Sequence, residues 1–266
     1  MAKLWKRKIE VKTNGLSITN KMLHIEFEVP FDDDHLPNSA IIKIYNLVHD
    51  TREKIKEGER LTLNAGYEGD VGQILSGKIT AVWSDKVGQD RATRIRVVDE
   101  QGTKSKKKVE KSYKKAVKSS TIIRDVANAI GMKIKVLELP NDKLHKKGYS
   151  CNGKGVDTIK SLAEDCGASF YPILGQWYIR DIRKGDNINF ELSPSTGLLG
   201  VPERFTKKYQ KKSTRGFKIE ALLQHRVKTA AILKLHSKTV TGTFRVIGGK
   251  HIATKDDFQT HLEVVS

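Results

Sequence analysis

The sequence predicts an α+β chain that is mainly β: a β-barrel or closed sandwich over residues 1–103, a small α+β unit over 119–185 and a closing β-region over 186–266. Three observations carry this prediction. Apolar and polar residues alternate with period two through the first segment, apolar residues recur at helical spacing between 119 and 181, and short β-branched runs return after residue 186.

In the first segment, strands are expected over 5–12, 23–31, 40–45, 60–67, 73–83 and 93–98. His24, Glu26 and Glu28 alternate with Ile25, Phe27 and Val29, so one face is wet and the other buried, as in antiparallel sheets. Tyr45, Asn46 and Leu47 end the third strand. A short helix is then expected from an Asp50 N-cap to Ile55, with Gly58 as a left-handed cap. Gly66 and Gly69 supply backbone freedom for the turn that follows 60–67. Residues 104–118 hold eight lysines and one glutamate without an apolar stripe, and read as a Lys-rich linker or strand edge.

The period then changes. Behind a Ser119 or Ser120 cap, Ile122, Ile123, Val126, Ala127 and Ile130 share a helical face ending at Gly131, before a strand over 133–137. Val156, Ile159, Leu162, Ala163 and Cys166 repeat the design up to Gly167, before strands over 169–174 and 177–180. Strands over 186–192, 217–223, 229–235, 243–248 and 261–265, with a turn-rich stretch at 193–202, complete the chain.

A chain of 266 residues exceeds the usual single core, so two or three domains are expected. The net charge of +18 is unevenly placed. Residues 1–103 carry 16 basic and 16 acidic side chains, the remainder 33 and 15. The excess concentrates in 104–118 and in 203–228, the latter with nine basic and two acidic residues. Different partners for the two parts follow from this division. Cys151 and Cys166 read as reduced packing residues, because two cysteines in a long chain make no disulfide framework. The opening MAKLWKRKIEVKTNG lacks the apolar run of a secretion signal, and no segment reaches about 18 consecutive apolar residues; membrane insertion is not expected.

No enzyme motif stands out. Gly72 to Lys78 satisfies the first seven positions of a phosphate-binding loop but has Ile79 where a hydroxyl is needed, and the stretch alternates as a strand. Asp32, Asp33, Asp34 and His35 could clasp a cation, but consecutive strand residues point opposite ways, and an exposed loop is the expectation. His225, His236, His251 and His261 are too dispersed for a zinc site and read as surface or interface residues. No catalytic residue, metal or cofactor is expected.

The motifs IKIYNL, AGYEGDVG and LSGKI within 42–79, then LSPSTGLLGVPE at 192–203 and the ending GTFRVIGGKHIATKDDFQTHLEVV, resemble the central baseplate hub proteins of phage tails, also found in phage-tail-like bacteriocins. The resemblance implies two antiparallel β-barrel-like domains flanking a small α+β middle domain. It also implies a homotrimeric ring joining a sixfold tail tube to a threefold central spike, in a virion tail assembled in the host cytoplasm. Implied partners are the tail tube or distal tail protein, the spike, the tape measure protein and baseplate wedge proteins, with transient DNA contact during ejection. Tyr45, Asn46, Leu47, Gly66 and Gly69 are the structural candidates. Lys104, Lys106, Lys107, Lys108, Lys207, Lys208, Lys211 and Lys212 are candidates for contact with an acidic partner or nucleic acid. The rival reading is a sequence-nonspecific nucleic-acid-binding protein with a β-barrel domain, whose affinity would fall steeply with salt.

Overall fold

Alternation becomes sheet throughout the first segment of the computed structural model, which describes residues 4–33, 38–99, 107–209 and 212–266. The chain divides into two units. Met1–Asp32, Asn38–Asp99 and Gly185–Ser266 form the first; Asp33–Pro37 and Glu100–Lys184 form the second.

Strand β1 (Arg7–Thr13) turns into β2 (Leu16–Thr19) through Asn14 and Gly15, both at positive φ, the two-residue loop whose twist matches a hairpin. β3 (Ile25–Asp32) and β4 (Ser39–Tyr45) follow, then a five-residue helix α1 (His49–Glu53). Its N-cap is Val48, so Asp50 lies in the first turn rather than at the cap, and Gly58 (φ 86) serves the loop beyond it. β5 (Arg60–Tyr67), β6 (Asp70–Val87) and β7 (Asp90–Asp99) complete the segment. Their inward residues, among them Val11, Ile42, Ile44, Leu61, Leu63 and Ile95, are fully buried in one cluster.

In the second unit, β8 (Lys108–Tyr113) and β9 (Val117–Lys118) occupy much of the stretch read as a Lys-rich linker. β8 is strand because Val109 is buried and β12 (Tyr149–Lys154) pairs along its full length. Helix α2 (Ser119–Ile130) ends at Gly131 in the left-handed conformation, as its sequence predicts. Its cap differs from the expectation: neither Ser119 nor Ser120 caps, and Lys118 holds the N-cap position without a side-chain bond. Asp142 reaches in instead, accepting from the Ser120 N–H at 2.9 Å and Oγ at 2.7 Å. β10 (Ile134–Leu137), β11 (Leu144–His145), helix α3 (Gly155–Asp165), β13 (Ala168–Ile173) and β14 (Gln176–Asp181) follow. The helices bury Ile122, Ile123, Ile159 and Leu162 with Phe170 and Trp177, whose rings stack at 4.5 Å. Cys151 and Cys166 are buried and unbridged.

The last segment returns to the first unit with β15 (Asp186–Leu192), β16 (Leu198–Tyr209), β17 (Lys212–Leu222), β18 (Ala231–His236), β19 (Thr241–Ala253) and β20 (Phe258–Val265). β19 pairs with β3 from Gly248 opposite Asp32 to Ala253 opposite Phe27. Both segments therefore share one 13-stranded sheet, ordered β16-β17-β20-β19-β3-β4-β7-β6-β5-β1-β2, with β18 and β15 branching from β19. This corrects the two-barrel expectation. Among the described residues β2 and β16 end the path without pairing to one another, so the sheet does not close into a barrel. The edge strand β3, which would have closed a first barrel, pairs with β19 of the last segment instead. β15 also pairs with β18 in parallel, within a sheet that is otherwise antiparallel.

Candidate interaction surface

Among the described residues no three His, Cys, Asp or Glu side chains gather as metal ligands. What the first unit builds is a polar junction and a cationic ribbon.

The junction starts at the turn after β5. Gly66 has φ 156, and a Cβ there would collide with the Asp70 carbonyl. Gly69 has φ 83, a region that side chains other than glycine rarely adopt. The reversal sets Asp70 against residues 224–226 of the last segment. His225 Nε2 lies 2.8 Å from Asp70 Oδ1, while Arg226 donates from Nη1 to Oδ2 at 2.7 Å and from Nη2 to Oδ1 at 2.6 Å. The paired Arg226 guanidinium foremost, with His225 adding, holds the Asp70 carboxyl below the usual carboxylate range despite partial burial. Gly72 leaves the space in which the His225 imidazole sits; a Cβ there would overlap the ring.

The same stretch reaches deeper. The Gln224 N–H donates to Thr260 Oγ1 at 2.9 Å, and Thr229 Oγ1 donates to the Asp32 carbonyl at 2.9 Å. His251 is 1% exposed, with Nδ1 2.9 Å from Thr260 Oγ1 and its ring 4.9 Å from Phe31. Burial drives its pKa down to about 3, against a bond to the Val227 carbonyl that favours the proton, with Lys228 and His225 repelling it further. The expectation that these histidines are surface or interface residues does not hold for His251, which is core, and the His225 side chain is only 15% exposed. His236 is exposed and His261 partly so. Sequence reading missed Asp70 and His225 because their partnership spans 155 positions; the one local trace was Gly72, a third glycine that the turn itself does not require.

Tyr45, Asn46 and Leu47 form a second tie. Asn46, at φ 56, donates from Nδ2 to Asp90 Oδ1 at 2.8 Å and accepts from the Arg91 N–H at 3.0 Å, fixing the end of β4 to the β6–β7 hairpin. Tyr45 donates to Glu26 Oε2 at 3.2 Å, and Leu47 joins the core.

The candidate lysines fall in different units. Lys107 donates from Nζ to the Ala129 carbonyl at 2.7 Å, near the carbonyl end of α2 where a cation is favoured. Lys108 is exposed, in register with Lys154. Lys104, Lys106 and Lys211 lie outside the described residues. In the first unit, β17 meets β20 only from Gly216 onward, so Thr206–Tyr209 and Lys212–Arg215 pair as a two-stranded ribbon with no third strand among the described residues. Lys207, Lys208 and Lys212 lie on it; Arg204, Lys207 and Arg215 are exposed, and Lys207 meets Glu263 at 3.2 Å.

No protein-family model and no curated protein matches this sequence. Solved structures match in fold. The tail protein from Neisseria meningitidis MC58 aligns at TM-score 0.69 and 11% identity, over 98% of this chain and 97% of its own. The 43 kDa tail protein of prophage MuSo2 from Shewanella oneidensis aligns at TM-score 0.71 and 9% identity, over 98% of each chain. The E. coli c3393 protein, a component of the type VI secretion system, aligns at TM-score 0.66 and 12% identity, over 96% of this chain and 76% of its own. At such identities the similarity shows a shared fold, the split β-unit with an α+β unit between its segments.

Proposed function

We propose that this chain is a structural hub at the distal end of a phage or phage-like tail tube. It joins tube to central spike as a threefold ring and forms the passage for tape measure and DNA. The observation that supports this most is the similarity in fold, over nearly the whole chain, to proteins described as tail proteins. A single sheet running through both outer segments, held by the Asp70–His225–Arg226 junction, suits a mechanical part that must keep its shape under load. Its role is assembly rather than catalysis. It resides in the virion tail, with tube, spike, tape measure and wedge proteins as neighbours, and Lys107, Lys108 and the ribbon lysines Lys207, Lys208 and Lys212 are contact candidates. The test is quantitative mass spectrometry of purified tail particles. Three copies per particle, scaled to the tube protein, is the expected count; absence from the particle refutes the proposal.

The cationic ribbon favours one alternative, sequence-nonspecific nucleic-acid binding. That reading requires duplex affinity whose logarithm falls linearly with log salt and which is lost when Arg204, Lys207 and Arg215 are neutralised.

A further inference from the structure

Two lysine-bearing stretches far apart in sequence meet in the second unit. β9 and β11 pair antiparallel, Lys118 opposite Leu144 and Val117 opposite His145. Flanking bonds from the Ala116 N–H to the His145 carbonyl (3.0 Å) and from the Ser119 N–H to the Lys143 carbonyl (2.9 Å) lock the register. Lys114, Lys115 and Lys118 are thereby set beside Lys143, Lys146 and Lys147, and all six are exposed.

Their charges are little compensated. Among the described residues, Lys143 alone of the six forms an ion pair, to Asp165 at 3.5 Å. Asp142, next to Lys143 in the sequence, is occupied with Ser120 at the start of α2. Gathering like charges across one ladder is unfavourable unless something of opposite charge covers them. Leu144 is 45% exposed at the centre of the ladder, an apolar contact that a phosphate backbone would not use. The neighbouring ring, Tyr149, packs edge-on against His145 at 4.9 Å instead of lying open for base stacking.

We propose that the lysine-flanked β9–β11 ladder is a docking surface for an acidic segment of another protein, which places an apolar side chain on Leu144. This stands independently of the hub reading. The test uses the full chain and the combined variant Lys115→Gln, Lys118→Gln, Lys146→Gln and Lys147→Gln. Both are titrated by fluorescence anisotropy, at about 0.05 M salt to limit screening, with a labelled Glu-rich peptide carrying one central leucine and with a DNA duplex of matched charge. The expected result is peptide affinity at least about tenfold weaker in the variant, severalfold weaker in Leu144→Ser, and weaker duplex than peptide binding by the unaltered chain. Equal peptide affinity in the variant overturns the proposal, and so does tighter binding of the duplex through these lysines. Should thermal melting show the fourfold variant unfolded, the pair Lys146→Gln and Lys147→Gln, beyond the ladder, replaces it under the same criteria.

Discussion

Acidification should weaken the first unit well before its carboxylates titrate, and His251 is the cause. In the folded chain its pKa is about 3, whereas an ordinary histidine has 6.5. The unfolded state therefore takes up the proton first. The stabilisation is complete above pH 6.5 and is lost as pH falls, until both states are protonated below about pH 3. Each pH unit within that window is worth about 1.4 kcal/mol. Between pH 7 and pH 5 the loss is about 2 kcal/mol, since the unfolded imidazole is mostly neutral at the start. The assay is urea denaturation at pH 7, 6 and 5, following near-ultraviolet circular dichroism, for the natural chain and His251→Gln. Glutamine is comparable in reach but does not titrate, so the variant is expected to be less stable at pH 7 yet to lose about 2 kcal/mol less on acidification. The other histidines are common to both chains and cancel in the comparison. Equal losses refute the reasoning. If the variant fails to fold, the imidazole NMR resonance of His251 in the natural chain decides instead: titration near pH 6.5 rejects it.

Three further outcomes are expected. Gly72→Ala pushes a methyl into the space of the His225 imidazole and breaks its bond to Asp70, which should lower stability by about 1–3 kcal/mol in chemical denaturation; Gly69→Ala, in open space, tests backbone strain alone. Asn46→Ala loses both side-chain bonds and keeps a positive φ, so it should destabilise by about 1–3 kcal/mol, whereas Asn46→Gly relieves the strain and should be milder; equal effects would show that the bonds alone matter. Asp142→Ala uncaps α2 from outside the helix and should lower the stability of the second unit by about 1 kcal/mol, with faster amide exchange at Ser120 as the local readout.

Local periodicity foretold local structure. The Ile122–Ile130 and Val156–Ala163 faces became buried helix faces, because 3.6-residue spacing and a glycine stop are contained within a dozen residues. The β1–β2 hairpin escaped notice although Asn14 and Gly15 announce it, because β2 is only four residues long. The strands β8 and β16, and the Lys212–Gly216 start of β17, were missed for another reason. β8 (KVEKSY) and the ribbon stretches Thr206–Tyr209 and Lys212–Arg215 are mostly polar or charged, and owe their form to a paired neighbour rather than to an apolar stripe. The open sheet in place of two barrels follows from the pairing of β19 with β3, which no window of sequence contains. In the candidate surface, Asn46 and the turn glycines were legible from their residue types. Asp70, His225 and the meeting of Lys118 with Leu144 were not, since each is created by long-range register.

The pairing of β3 with β19 also sets a timetable for synthesis. In the sheet Asp32 faces Gly248, a residue translated 216 positions later. At bacterial elongation rates the first segment therefore waits roughly 10–40 s for that neighbour. The second unit, complete by Lys184, can fold on the ribosome in the meantime. An unpaired β3 edge during this interval is a site for wrong strand pairing, and a transcript cut short before β19 leaves the first unit with that edge permanently open. Yield of the protein should therefore depend on translation reaching β19 more than on the stability of the finished fold.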